Sequence, residues 1–163
     1  MAEVTHPNRE KASSKAMKTA VIFLLLASAV LIAVITAGGW SELQGAQPVA
    51  FAYILLYLVM AFYVTRWNRG VLPVAAALAL LFAVIAGVAA PAWFVRDKGG
   101  FEDPALDPAI LGLLTVILVP VQLLLMAASM RAFSQKWNVE VEVHSGRHSP
   151  PDAPGRGPEP ARA

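Results

Sequence analysis

The sequence predicts an all-α polytopic membrane protein built as a bundle of four transmembrane helices. Three observations lead there. Four apolar stretches, at about residues 19–38, 49–65, 72–95 and 110–130, contain no charged side chain. Each approaches or exceeds the roughly 20 residues that a helix needs to cross a ~30 Å hydrocarbon core. The stretches are apolar all round, with none of the ~3.6-residue alternation that a soluble helix shows. Finally, Trp40, Trp67, Trp93 and Trp137 all fall at stretch ends, where an apolar ring with one N–H suits the membrane–water boundary.

The chain has 163 residues, enough for one bundle and too few for two domains. Its hydrophobic fraction of 57% and mean hydropathy of +0.58 reside in the middle of the sequence, between polar ends. With their flanking turn residues, the spans are placed at about 19–38, 48–65, 72–95 and 109–131. Residues 1–17 form an N-terminal tail, 18–137 the membrane domain and 138–163 a second tail, disordered from about 145. The disorder follows from Pro150, Pro151, Pro154, Pro158 and Pro160 among Gly, Arg and small residues.

The first span begins after a basic leader with Arg9, Lys11, Lys15 and Lys18 and ends at Gly38-Gly39. A cleaved signal peptide would also start this way, but its apolar run is typically ~7–15 residues, shorter than the one here. Pro48 and Pro73 open the second and third spans, and Asp107-Pro108 opens the fourth, with Asp107 placed to cap free backbone N–H groups. The short connection over residues 66–71 predicts that the second and third spans are antiparallel neighbours forming a hairpin. Beyond the fourth span, Val139-Glu140-Val141-Glu142-Val143 alternates as a strand does. Such a strand needs another edge, from a partner protein for example, and an extended, unpaired segment fits the pattern equally well.

Charge placement predicts the topology. Arg9, Lys11, Lys15, Lys18, Arg66, Arg69, Arg131, Lys136, Arg147, Arg156 and Arg162 lie on one side of the spans, and only Arg96 and Lys98 on the other. The positive-inside rule then puts both ends in the cytoplasm. High Ala, Arg and Pro content suits a GC-rich bacterial genome, for which the membrane is the plasma membrane.

Small residues predict where helices meet, because in lipid close backbone approach drives association. Ala75, Ala79, Ala83 and Gly87 repeat every four residues on the third span, and Ala29, Ala33 and Ala37 do so on the first. The third helix is therefore expected at the centre. On the fourth span, Gly112, Thr115, Val119, Gln122, Met126 and Ser129 share a face. Gln122 is the one side-chain amide deep in a span, so it points into the bundle or at a partner. Its expected partner is Tyr53 or Tyr57, one turn apart on the second span. Pro120 removes a backbone hydrogen bond two residues away and is expected to kink the helix. Kink and amide together make the best local candidate for a packing or partner face.

Much chemistry is excluded. The chain has no cysteine, and His6, His144 and His148 all lie in the tails. Disulfides, thiolate metal sites and haem ligation between the helices are therefore ruled out. No span holds a carboxylate for proton coupling, and no nucleophile–base set, Walker loop or HExxH motif is present. The loop carboxylates Glu102, Asp103 and Asp107 lack EF-hand spacing and read as a solvated loop. The resulting expectation is a non-catalytic integral membrane protein, a structural or accessory subunit that packs against a larger membrane complex or against itself. It is not an enzyme and takes no cofactor. Its partners are the lipid bilayer and other membrane subunits or further copies of the chain, and not nucleic acid. The alternative is a small transporter or channel for a neutral or lipidic solute.

Overall fold

A computed structural model describes residues 3–43, 45–96 and 104–143. The order is β1 (Glu3–Thr5), α1 (Pro7–Glu10), α2 (Ala12–Gly38), α3 (Gln47–Thr65), α4 (Val71–Arg96), α5 (Pro108–Ser134) and β2 (Val141–Val143). The body is all-helical, and α2 to α5 are each long and apolar enough to span a membrane. The first helix starts at Ala12, seven residues before its apolar stretch, so Lys15 and Lys18 are helical. The disordered tail expected from about residue 145, and Glu102 and Asp103 of the acidic loop, lie outside the described residues.

In space the helices run α3, α2, α5, α4. Helix α5 packs against both α2 and α4, α2 also packs against α3, and α3 and α4 touch only sparsely. The second and third spans are the antiparallel, short-looped neighbours expected, although they touch little along their length. The central place expected for the third helix is corrected: α4 lies at the side of the bundle. The reason is side-chain size. The α4 face toward α5 carries Ala75, Ala76, Ala79, Ala83, Ala86 and Ala90, all buried, so the two backbones approach closely. Helix α3 has no comparable face, and Phe51, Leu55, Leu56 and Leu58 all project from the bundle.

The small-residue stripes need the same correction. At ~100° per residue, an i+4 row drifts by ~40° per step. Gly87 therefore lies ~120° from Ala75 and is exposed, and a Cβ added there meets nothing within 4 Å. The buried row continues through Ala86, Ala90 and Trp93. On α2, Ala29 is buried but Ala33 and Ala37 are exposed, and contact is made by Val21, Leu25, Ser28, Ile32, Ile35 and Thr36.

The segments Glu3–Thr5 and Val141–Val143 meet at one end of the bundle, here termed the terminal end. β1 and β2 pair antiparallel, with Thr5 opposite Val141 and Glu3 opposite Val143. The strand edge sought by the alternating valines thus comes from the same chain. Arg9 Nε donates to the Trp137 carbonyl (2.9 Å) and Asn8 Nδ2 to that of Lys136 (3.1 Å). Arg69 Nε donates to the Phe133 carbonyl at 2.8 Å, with its guanidinium over the Phe133 ring. A cation there complements the carbonyls left free at a helix C-terminus. Trp67 closes α3 in a left-handed conformation (φ 60°), with its N–H donating to Val64 and that of Asn68 to Tyr63. Its ring meets Trp137 edge-on at 5.2 Å and lies under Lys18 at 4.1 Å. Trp137 and Trp93 are buried in protein rather than facing lipid.

At the opposite, loop end, Leu106 N–H donates to the Gly38 carbonyl (3.1 Å), and Asp107 Oδ1 accepts from Ala109 N–H (2.8 Å), the cap expected for α5. Gly39 sits against the Trp93 ring so closely that no side chain fits there.

Candidate functional site

Three helices converge on one amide at mid-bundle. Tyr57 Oη of α3 donates to Gln122 Oε1 of α5 at 2.6 Å, and Gln122 Nε2 donates to Ser28 Oγ of α2 at 2.9 Å. All three residues have 0% exposure. Each lies near the middle of its span, so the cluster forms a single polar layer in an otherwise apolar section. Thr115, on the same α5 face, spends its hydroxyl on the Leu111 carbonyl (2.7 Å). Ser129 is buried and its Oγ has no hydrogen-bond partner. Gly112 admits the Phe94 ring, which would lie 2.8 Å from an added Cβ.

The sequence brings Gln122 to the right place but offers two tyrosines. Tyr57 takes the amide, and Tyr53 turns its ring onto Phe82 at 4.5 Å, its buried Oη without a protein partner. Ser28 is the residue that sequence reasoning missed. The available signal was that it is the one hydroxyl deep in the first span, flanked in register by Val21, Leu25, Ile32 and Ile35.

Pro120 does not share the amide's surroundings. Two residues along a helix turn the side chain by ~200°, and Pro120 is exposed whereas Gln122 is buried. Instead Pro120 lines an outward notch of about 520 Å³ between α4 and α5, with Gly87, Ala90, Pro91, Phe94, Val116 and Val119. Pro91 is a second proline inside a helix, near the C-terminal end of α4. It follows Gly87 by four residues, just as Pro120 follows Val116. A proline has no N–H to give the carbonyl four residues before it. Both carbonyls that lose their donor, of Gly87 and Val116, belong to residues of this one notch.

A second space lies between α3 and α4, where they splay at the loop end. It measures about 340 Å³ and is lined by residues of all four helices, among them Ile32, Ala50, Phe82, Ala86, Trp93 and Leu118. Its two hydroxyl-bearing lining residues, Thr36 and Thr115, both bond their own helix backbones, and the walls are otherwise mostly hydrocarbon. Among the described residues, no three metal-ligating side chains converge. No family model matches the chain, and no curated protein and no solved structure matches it.

Proposed function

We propose that the chain is a non-catalytic integral protein of the plasma membrane, with both ends cytoplasmic, that acts by packing against helices of other membrane proteins. The observation that carries this reading is the notch between α4 and α5. A backbone carbonyl without a donor costs several kcal/mol in hydrocarbon, and neighbouring helices are what normally satisfy it. Gly87 leaves the notch floor uncovered, so a partner helix can approach the backbone. The chemistry called for is a transmembrane helix presenting Ser, Thr, Asn or Gln donors at mid-membrane depth. The orientation is supported by the Lys and Arg count and by the meeting of β1 and β2 with the Arg66–Arg69 loop at the terminal end.

Gly87→Leu is the test. A Cβ added there meets nothing within 4 Å, so the larger side chain is directed into the open notch. Purified in mild detergent with a C-terminal tag, the native chain is expected to bring a membrane partner in stoichiometric amount by mass spectrometry. The variant loses that partner while melting at the same temperature. A native chain that runs alone, or a variant that keeps its partner in full, overturns the reading. The cavity between α3 and α4 favours a second reading, a carrier of a neutral or lipidic solute, which solute uptake by proteoliposomes holding the chain alone would establish.

A further inference from the structure

We infer that the cleft between α3 and α4 is a binding site for one zwitterionic phospholipid bearing a primary ammonium headgroup. One acyl chain lies in the 340 Å³ cavity and the headgroup sits on Arg96 and Glu42. The inference is independent of the notch on the far side of α4.

The cleft has two continuous parts. The deep part is the apolar cavity, at the lower end of the ~300–1,000 Å³ that small-molecule sites occupy. The shallow part is a recess of about 240 Å³ at the rim, lined by Glu42, Ala92 and Arg96 together with Leu43, Ala46, Ala89 and Trp93. The last four also line the deep cavity. Exposed Val49 and Ile85 border the cavity, so it opens sideways between the helices, toward lipid.

An apolar cavity open to a bilayer fills with lipid tails whatever their headgroup. The rim is what selects among them. Arg96 Nε lies 3.4 Å from Glu42 Oε2, with the two side chains 30% and 12% exposed. The contact runs through one nitrogen and one oxygen. A guanidinium carries five N–H donors and a carboxylate a second oxygen, so the pair can take a phosphate and an ammonium together. An anionic headgroup would meet Arg96 but set its charge against Glu42. A quaternary ammonium would have no N–H to give Glu42. Ethanolamine carries both complementary groups, joined by two carbons.

The test offers phosphatidylethanolamine and phosphatidylglycerol in equal amounts to the detergent-purified full chain and counts bound lipid by native mass spectrometry. The native chain is expected to retain one phosphatidylethanolamine, with a preference of about three- to tenfold over phosphatidylglycerol. Glu42→Gln removes the preference without reducing total lipid bound. Ala89→Phe, at the junction of rim and cavity, lowers retention of both lipids about tenfold. Circular dichroism and melting temperature establish that each variant is folded, and Ala46→Phe replaces Ala89→Phe if that one is not. Equal retention of the two lipids by the native chain overturns the assignment of the headgroup. Undiminished retention in the folded cavity variant overturns the site.

Discussion

Two neighbouring helix pairs follow opposite principles. Helices α3 and α4 are joined by the shortest connection between spans and barely touch. Helices α4 and α5 are joined by a longer loop and share the most intimate contact in the molecule. A short loop fixes where two helices begin, at one end only. Over the remaining length, the side chains decide whether they stay together. In lipid, apolar bulk gains little from leaving one hydrocarbon environment for another, whereas close backbone approach gains dispersion contact. Hence the alanines of α4 select α5, and α3, which carries no such buried row, stands apart from α4 across a cleft.

The comparison can be broken most forcefully on the tight side. Ala79 has 0% exposure in the α4–α5 contact, and Ala79→Leu is expected to cost about 1–3 kcal/mol by overpacking. Reversible unfolding in SDS mixtures, followed by circular dichroism, measures it; a loss below the noise of that titration would remove alanine packing as the selecting force. Next in size is Gln122→Leu, which takes both hydrogen bonds from Tyr57 and Ser28. At about 0.6–1.7 kcal/mol per interhelical bond, the loss is about 1–3 kcal/mol before the leucine's own packing offsets part of it. Adding Tyr57→Phe should then cost little more, because its hydroxyl has already lost its acceptor; a fully additive double variant would contradict the 2.6 Å bond.

Smaller effects sharpen the picture. Arg69→Gln frees the Phe133 carbonyl at the base of the α3–α4 loop, with an expected loss of about 0.3–1 kcal/mol that weakens further in high salt. Ala50→Leu adds bulk to the cleft on the loose side, where it displaces lipid rather than protein. Its melting temperature should match the native one within the scatter of repeated scans, and a fall as large as that of Ala79→Leu would mean that α3 and α4 are packed after all.

Hydropathy made the spans legible because membrane crossing is a property of each segment alone. The Asp107 cap, Pro48 and the charge-free interiors are local facts of the same kind. Partner choice is a property of pairs, and it was legible only where a face kept its register. Ala75, Ala79 and Ala83 are buried as their spacing suggests, but the row carried to Gly87 ignores the rotation of the helix. Pro120 and Gln122, close in sequence, face opposite ways for the same reason. The ladder with Glu3–Thr5 was beyond reach, since three residues give too little alternation to reveal a strand. The alternating valines were recognised, but their partner lies at the other end of the sequence. The tryptophans fall at or near helix ends, but Trp93 and Trp137 fill the core, because a ring at a helix end can meet a glycine or another ring as well as lipid.

The small ladder has a temporal meaning. Thr5 and Val141 are 136 residues apart, and at ~5–20 residues per second the ribosome needs of the order of 10 s to go from one to the other. Throughout that interval the first strand has been made and its mate has not. The ladder can close only when α5 has been threaded into the bilayer and the segment after it has left the ribosome. A chain stalled before α5 has an unpaired leading segment, with Asn8 and Arg9 lacking the carbonyls they hold in the finished molecule. Closure of the ladder therefore marks a molecule in which α5 has been inserted and the segment after it released.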